Sequence, residues 1–355
     1  MTDVLIVGSG PTGLTLACDL ALRGVSVRVL DGRPGPHRES RGKGLNPDGL
    51  EVFARLGVEE RMAATGNRRL VLRKYFDGVH VSDTPADGGV LIGQWQVEEI
   101  LRERLAGLGV RVEYGTRVTG LAQDPTGVTA RLADGGSVRA GYAAGCDGGH
   151  STTRELLGIP FEGYTEEKPT MVVGDVRAPG LGRDHWHQWF TSEGGGILLC
   201  PMPGTETFQL QSAPETDGDG EPLPPTLEGF QRLFDRYAGI PGIRLTEATW
   251  LSSWRVNVRR AARMREGRIL LAGDAAHVHP FAGGLGMNTG IQDAAALART
   301  LATALADPAP ADALDAYEAE RLPVAERLLA DTSARHRRVL AAVREPGRGT
   351  EAGMG

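Results

Sequence analysis

Two glycine-rich clusters, far apart in the chain, carry residue types that hold a phosphate or a ribose. The first is Gly8-x-Gly10-x-x-Gly13, with Pro11 and Thr12 between its glycines, and Asp31 stands 18 residues after Gly13. In a dinucleotide fingerprint the glycines allow a tight turn, close approach of a pyrophosphate and helix–strand packing. An acid about 20 residues on takes the ribose hydroxyls. The second cluster is Gly273-Asp274, followed by Gly283, Gly284, Gly286 and Asn288. A carboxylate beside backbone N–H groups at a helix start suits a polyhydroxylated chain leading to a ring that carries negative charge. The first motif alone does not separate NAD from FAD. Two such clusters so widely spaced point to one extended cofactor, FAD, held at both ends.

The elements that must position these residues are legible around them. Apolar runs at 4–7 and 25–30 read as strands ending at Gly8 and Asp31, with an Ala/Leu-rich helix between. A run at 269–272 reads as a strand ending at Gly273-Asp274, with a helix opening at Asn288. A strand over 138–144 leads to Asp147-Gly148, and Ser151 is placed to cap a helix whose first turn holds Arg154. Another helix is expected over 97–108.

Three stretches, GSGPTG, GCDGGHSTTRELLG (145–158) and GRILLAGDAAHVHPFAGGLGMNTGIQDA (267–294), resemble the fingerprints of FAD-dependent aromatic hydroxylases of the para-hydroxybenzoate hydroxylase type. SRGKGLNPDGLEVFARLG (40–57) and GQWQVEEILRERL (93–105) add weaker matches in the family's order, so the likeness runs over 3–327. It implies a single-component monooxygenase, similar to polyketide and rifamycin-type hydroxylases. In that family NADPH or NADH reduces the flavin, O2 forms a flavin C4a-hydroperoxide, and an aromatic substrate takes up the oxygen. The resemblance also implies that Asp147 touches FAD and the pyridine nucleotide, that Gln94 contacts FAD and that Arg41 approaches the flavin. For Gln94 and Arg41 an ordinary packing or solvated role competes with the named one, as plain helix capping does for Ser151. Asp274 is expected at the ribitol or pyrophosphate and Pro280 against the ring. The amides of Gly284, Leu285, Gly286, Met287 and Asn288 are expected to stabilise charge near the flavin N1–C2 region.

The chain departs from the family pattern in two places. Asp31-Gly32-Arg33 replaces a Glu-Arg pair, and Gly93 stands where proline often precedes the glutamine. The chain is also expected to lack the C-terminal thioredoxin-like domain of many relatives. No side chain is assignable as a catalytic acid or base. A flavin halogenase is disfavoured because its Trp-x-Trp-x-Ile-Pro motif is absent, Trp186-His187-Gln188-Trp189 being different. A dehydrogenase or reductase on the same fold, or a non-catalytic FAD- or ligand-binding partner protein, stays open.

Composition narrows the classes further. The 355 residues carry a net charge of −6, with no basic patch for nucleic acid. Cys18, Cys146 and Cys200 are widely spaced, which argues against disulfides or zinc and for a reducing cytoplasm. Apolar runs are too short for a membrane span. His277-x-His279 could suggest a metal pair, but packing or hydrogen bonding is the simpler reading, so no metal is expected. Trp186 and Trp189, with His185 and His187, could line an aromatic substrate pocket; a buried aromatic patch or domain seam is the competing reading.

The expected architecture is α/β. A Rossmann-like FAD-binding domain (1–75, 94–167 and 259–343, ending in C-terminal helices) is interrupted by a mainly antiparallel substrate sheet (76–93 and 168–258). A strand pair is expected within 79–92, a loop at 307–310 and a flexible tail over 344–355. The protein is expected as a monomer or homodimer.

Overall fold

The computed structural model describes residues 2–86, 88–279, 284–306 and 311–344. Its central sheet is built from strands that are apolar along their length, the mark of strands covered on both faces. Thr2–Val7 is flanked by Ser137–Gly145 on one side and Val27–Leu30 on the other, both parallel to it. Ile269–Leu271 and Val112–Glu113 extend the parallel sheet outward. Val7 is level with Leu30 and with Gly145, and Gly145 with Leu271. The carboxyl ends of four neighbouring strands therefore form one edge, where open α/β sheets bind ligands. Helices Pro11–Leu22, Gln94–Gly107 and Leu285–Ala306 pack into a common core with this sheet.

The stretch 94–160 is not a simple alternation of strand and helix. Val118–Asp124 and Gly127–Leu132 form a hairpin that pairs antiparallel with Ser137–Gly145. Only Pro125 and Thr126 join its strands, far too few for the crossover that a parallel neighbour needs.

A second sheet has seven strands, in the order Thr246–Trp254, Met171–Arg177, Thr207–Ser212, Gly196–Pro201, His185–Phe190, Val71–Phe76 and Val79–Pro85. The strand over 71–76 thus lies here rather than with the first sheet. Among the described residues no strand pair forms within 79–92, because Val79–Pro85 turns back on Val71–Phe76 while Val90–Gly93 pairs with Lys43–Leu45. The cause is local: Asp77 (φ 48°) and Gly78 (φ 76°) both take the left-handed region, as a two-residue hairpin turn requires. One face of the sheet packs under the helix Leu227–Tyr237, which Thr226 caps by accepting from the Gly229 N–H at 2.9 Å.

The long helix begins at Leu285, three residues before the expected start, and runs to Ala306; Ala311–Arg344 forms the last helix. Pro280, the 307–310 loop and the tail beyond 344 lie outside the described residues. Among those described, no helix is long and apolar enough to cross a membrane.

Candidate functional site

At the first turn the three glycines do different jobs. Gly8 has φ 103°, and a Cβ there would lie 2.3 Å from the Cys146 carbonyl oxygen. A Cβ on Gly13 would meet the Gly8 carbonyl oxygen at 2.0 Å. Both close the joint between strand and helix. A Cβ on Gly10 meets nothing within 4 Å, so the backbone there faces open space at the start of the helix Pro11–Leu22. Such a cradle fits a phosphate group.

Asp31 is buried beside this turn and already engaged. One oxygen accepts from the Ser9 N–H (2.9 Å) and hydroxyl (2.7 Å), and Arg33 donates to both oxygens. Burial pushes its carboxyl up, but the hydrogen bonds from Arg33 and Ser9 outweigh this and hold it at about 2. Ser9 and Arg33 therefore share the acid expected to face a ribose, while Gly32 lies exposed beside Arg117.

The second turn interlocks with the first. Thr12 Oγ1 sits where a Cβ on Gly273 (φ 61°) would fall, at 2.4 Å, and at the same distance from one on Gly290. Gly290, which belongs to neither glycine motif, thus lets the two clusters meet. Asp274 is exposed and accepts no hydrogen bond from the described residues. Nearby protein pushes its carboxyl up, His277 opposing and Asp293 reinforcing the effect, although its exposure screens that influence.

Behind this turn lies a buried ionic network absent from the sequence reading. Asp293 accepts from the Gly273 N–H at 3.1 Å, contacts His277 Nε2 at 2.6 Å and accepts from Arg321 Nε at 2.7 Å. Burial pushes His277 down, but the Asp293 charge and hydrogen bond win and hold it up. Asp293 moves the other way: His277 and Arg321 overcome burial and hold it down. His277 is thus committed to Asp293. The only signal for Asp293 was a lone charge in the Ala-rich run IQDAAALA.

Asp147 serves the short helix Thr152–Leu156. One oxygen accepts from Ser151 Oγ at 2.5 Å and the other from the Thr153 N–H at 2.9 Å, while Ser151 accepts from the Arg154 N–H at 3.0 Å. Arg154 crosses to the second turn and donates to the Ala275 carbonyl at 2.9 Å.

Residues 40–46 form a strap that joins the seven-stranded sheet and the helix Gln94–Gly107 to the long helix. The Ser40 N–H donates to Asp175 at 2.9 Å, and Gly42 and Gln94 exchange backbone and side-chain hydrogen bonds. Asn288 is buried, accepting from the Asn46 N–H at 2.9 Å and donating to the Gly44 and Gly284 carbonyls. Arg41 is exposed in the left-handed region (φ 37°), a strained conformation for a non-glycine residue. In the first turn of the long helix, Leu285, Gly286 and Met287 are partly buried, and Gly284 before it is exposed.

Trp186 and Trp189 do not share a pocket. Trp189 is buried under the helix Leu227–Tyr237, stacked on Tyr75 (5.5 Å) and His187 (5.1 Å), with Phe234 edge-on. The correction follows from strand alternation, which sends residues three apart to opposite faces. Trp186 lies on the other face, with Lys43 Nζ 4.7 Å from its ring centre.

Residues 1–332 match the family model described as FAD binding domain. A flavin-dependent monooxygenase from Mycobacteroides abscessus is 39% identical over 365 residues, covering 97% of this chain and 76% of that protein. The chain belongs to the FAD-dependent monooxygenases. The solved complex of aklavinone-11 hydroxylase with FAD and aklavinone superposes on this monooxygenase with a TM-score of 0.84 at 31% identity, covering 98% of this chain and 70% of that one. Dialkyldecalin synthase from Streptomyces rugosporus is 37% identical over 344 residues, covering 94% of this chain and 72% of that protein. The monooxygenase binds FAD on a Rossmann-like α/β fold, and the open cradle at Gly10 and the exposed carboxylate of Asp274 suit such a cofactor.

Proposed function

We propose that this monooxygenase uses NADPH or NADH and O2 to oxygenate a phenolic or polyketide-type aromatic compound. The observation that carries the reading is the convergence of the Gly8–Gly13 turn, Asp147 and the Gly273-Asp274 turn at one sheet edge, strapped by 40–46 to the polar face of the seven-stranded sheet. Bound FAD supplies the redox chemistry and the activation of O2. The chain's own residues position and shield. The Gly10 backbone receives the pyrophosphate, Asp274 the ribitol or pyrophosphate, and the amides of Gly284 to Asn288 the negative end of the ring. Gln94 and Arg41 hold and approach the flavin side of the strap, Trp186 faces the substrate, and the seven-stranded sheet serves as the substrate domain that excludes water.

The test is to identify the bound flavin by its spectrum, then to follow NADPH and O2 consumption with a panel of polycyclic phenols. Substrate-stimulated consumption with oxygen-18 in the product is the expected result. The likeness to dialkyldecalin synthase favours a second reading, in which the FAD fold turns over a ligand without adding oxygen. Product formed with no O2 uptake would select it.

A further inference from the structure

On the face of the seven-stranded sheet that carries Trp186, polar side chains converge on Lys43, a residue with no role in the motifs above. Lys43 Nζ donates to Gln209 Oε1 and lies over the Trp186 ring. Gln209 is fully buried and fixed in turn, donating to Ser40 Oγ at 2.5 Å and to the Arg41 carbonyl at 2.9 Å. Strand pairing sets Asp175 and Cys200 on either side of Gln209. Among the described residues, Asp175 Oδ1 and Trp186 Nε1 are buried without a hydrogen-bond partner, and Asp175 is only 4% exposed. A buried unpaired donor or acceptor costs about 1–3 kcal/mol. An orphan acceptor and an orphan indole N–H around one amine mark a place for a polar group that the chain does not supply.

Burial pushes the Lys43 ammonium down, with Cys200 and Asp175 opposing. It also pushes Asp175 up against its Ser40 and Lys43 contacts, and the Cys200 thiol up to about 11.

We propose that Lys43 receives the acidic hydroxyl of the substrate, which is thereby defined as an aromatic compound with an ionisable phenol or enol. The substrate O–H bond breaks, an N–H bond forms at Nζ, and the ammonium stays paired with the new oxyanion; no electrons change hands. Gln209 Oε1 keeps the ammonium oriented, Trp186 Nε1 donates to the substrate, and Asp175 Oδ1 accepts from a second hydroxyl. An ionised ring is richer in electrons and a better acceptor of electrophilic oxygen. This rests on the aromatic-oxygenation reading above.

The test uses the FAD-loaded protein and alizarin, a dihydroxyanthraquinone whose visible band moves to the red on ionisation, followed by difference spectra across pH. Wild type is expected to bind the dye ionised at a pH where the free dye is neutral. Lys43→Met is expected to bind it neutral and on the order of tenfold more weakly, equivalent to about one pH unit. Lys43→Arg restores binding of the ionised form. If Lys43→Met loses its fold, Gln209→Met is expected to shift the ionisation in the same direction by less. Dye bound neutral by wild type, or ionised equally by Lys43→Met, overturns the role of Lys43 and leaves aromatic binding standing. No dye bound by wild type overturns it as well and counts against the aromatic reading, which the oxygen-18 assay decides separately.

Discussion

Trp186 and Trp189 are three residues apart on one strand and live in different chemical worlds. Trp189 is buried against Tyr75, His187 and Phe234 and is consumed by the fold. Trp186 meets a lysine, keeps an indole N–H without a partner among the described residues, and packs against a small apolar cluster of Leu70, Leu91 and Cys200. The same division runs through the nucleotide edge. Gly13 is packed to the limit while Gly10 is open; Asp293 is triply engaged while Asp274 has no hydrogen bond among the described residues. Side chains whose partners are all internal stabilise the protein, and those with valences to spare are available to ligands.

Each pair can be broken to test that division. The largest effect is expected at the first turn. Gly13→Val puts its Cβ into backbone and should give no soluble folded protein. Gly10→Val should fold, melt near wild type without cofactor, and fail to retain FAD by absorbance. A yellow, FAD-stoichiometric Gly10→Val would remove the pyrophosphate from that turn.

Trp189→Ala should cost about 3–5 kcal/mol in urea unfolding. Trp186→Ala should cost no more than about 1–2 kcal/mol while raising substrate KM with FAD still bound. Equal destabilisation of the two would erase the contrast between the faces. Asp293→Asn strips the charge from a buried network and should cost about 3 kcal/mol. Asp274→Ala should leave the melting of the apoprotein within about 0.5 kcal/mol yet weaken FAD retention, as flavin release on dilution would reveal.

The smallest effect is on pH dependence. Despite burial, Asp293 holds His277 above its ordinary 6.5. The contribution of His277 is thus complete below pH 6.5 and lost as pH rises through the folded value. Asp293 is held below 3.8 against burial, so its contribution is complete above that pH and lost as pH falls through the lower folded value. Melting temperature should therefore plateau between these limits, and His277→Gln should flatten the alkaline decline. An unchanged alkaline limb would mean that the network adds nothing there.

The nucleotide half of the fold was largely legible, because its signals are local. GSGPTG needs a strand before it and a helix after it, and both run within a few residues of the expected bounds. The substrate half was less so. The expected boundary at 75/76 falls inside the strand Val71–Phe76, which pairs within the seven-stranded sheet, although Asp77-Gly78 is a hairpin signal that marks where it turns. For Trp189 the competing reading, a buried aromatic patch, is the one that the structure shows, and the two-residue period of a strand separates it from Trp186. Lys43 and Asp293 went unnoticed, since a lone charge in a polar or Ala-rich stretch usually means a solvated face.

The sequence by itself determined the cofactor family, the positions of both glycine turns and the strands that end at them. Those depend on backbone conformations that only glycine reaches easily and on apolar runs that must be buried. Only the tertiary structure decided which acid is spent and which is free, which tryptophan faces the site, and that Thr12 wedges the two turns together. These outcomes depend on partners brought from distant segments: Arg321 to Asp293, Gln209 to Lys43 and the helix Leu227–Tyr237 to Trp189. No local pattern encodes the burial and hydrogen bonding that such encounters create.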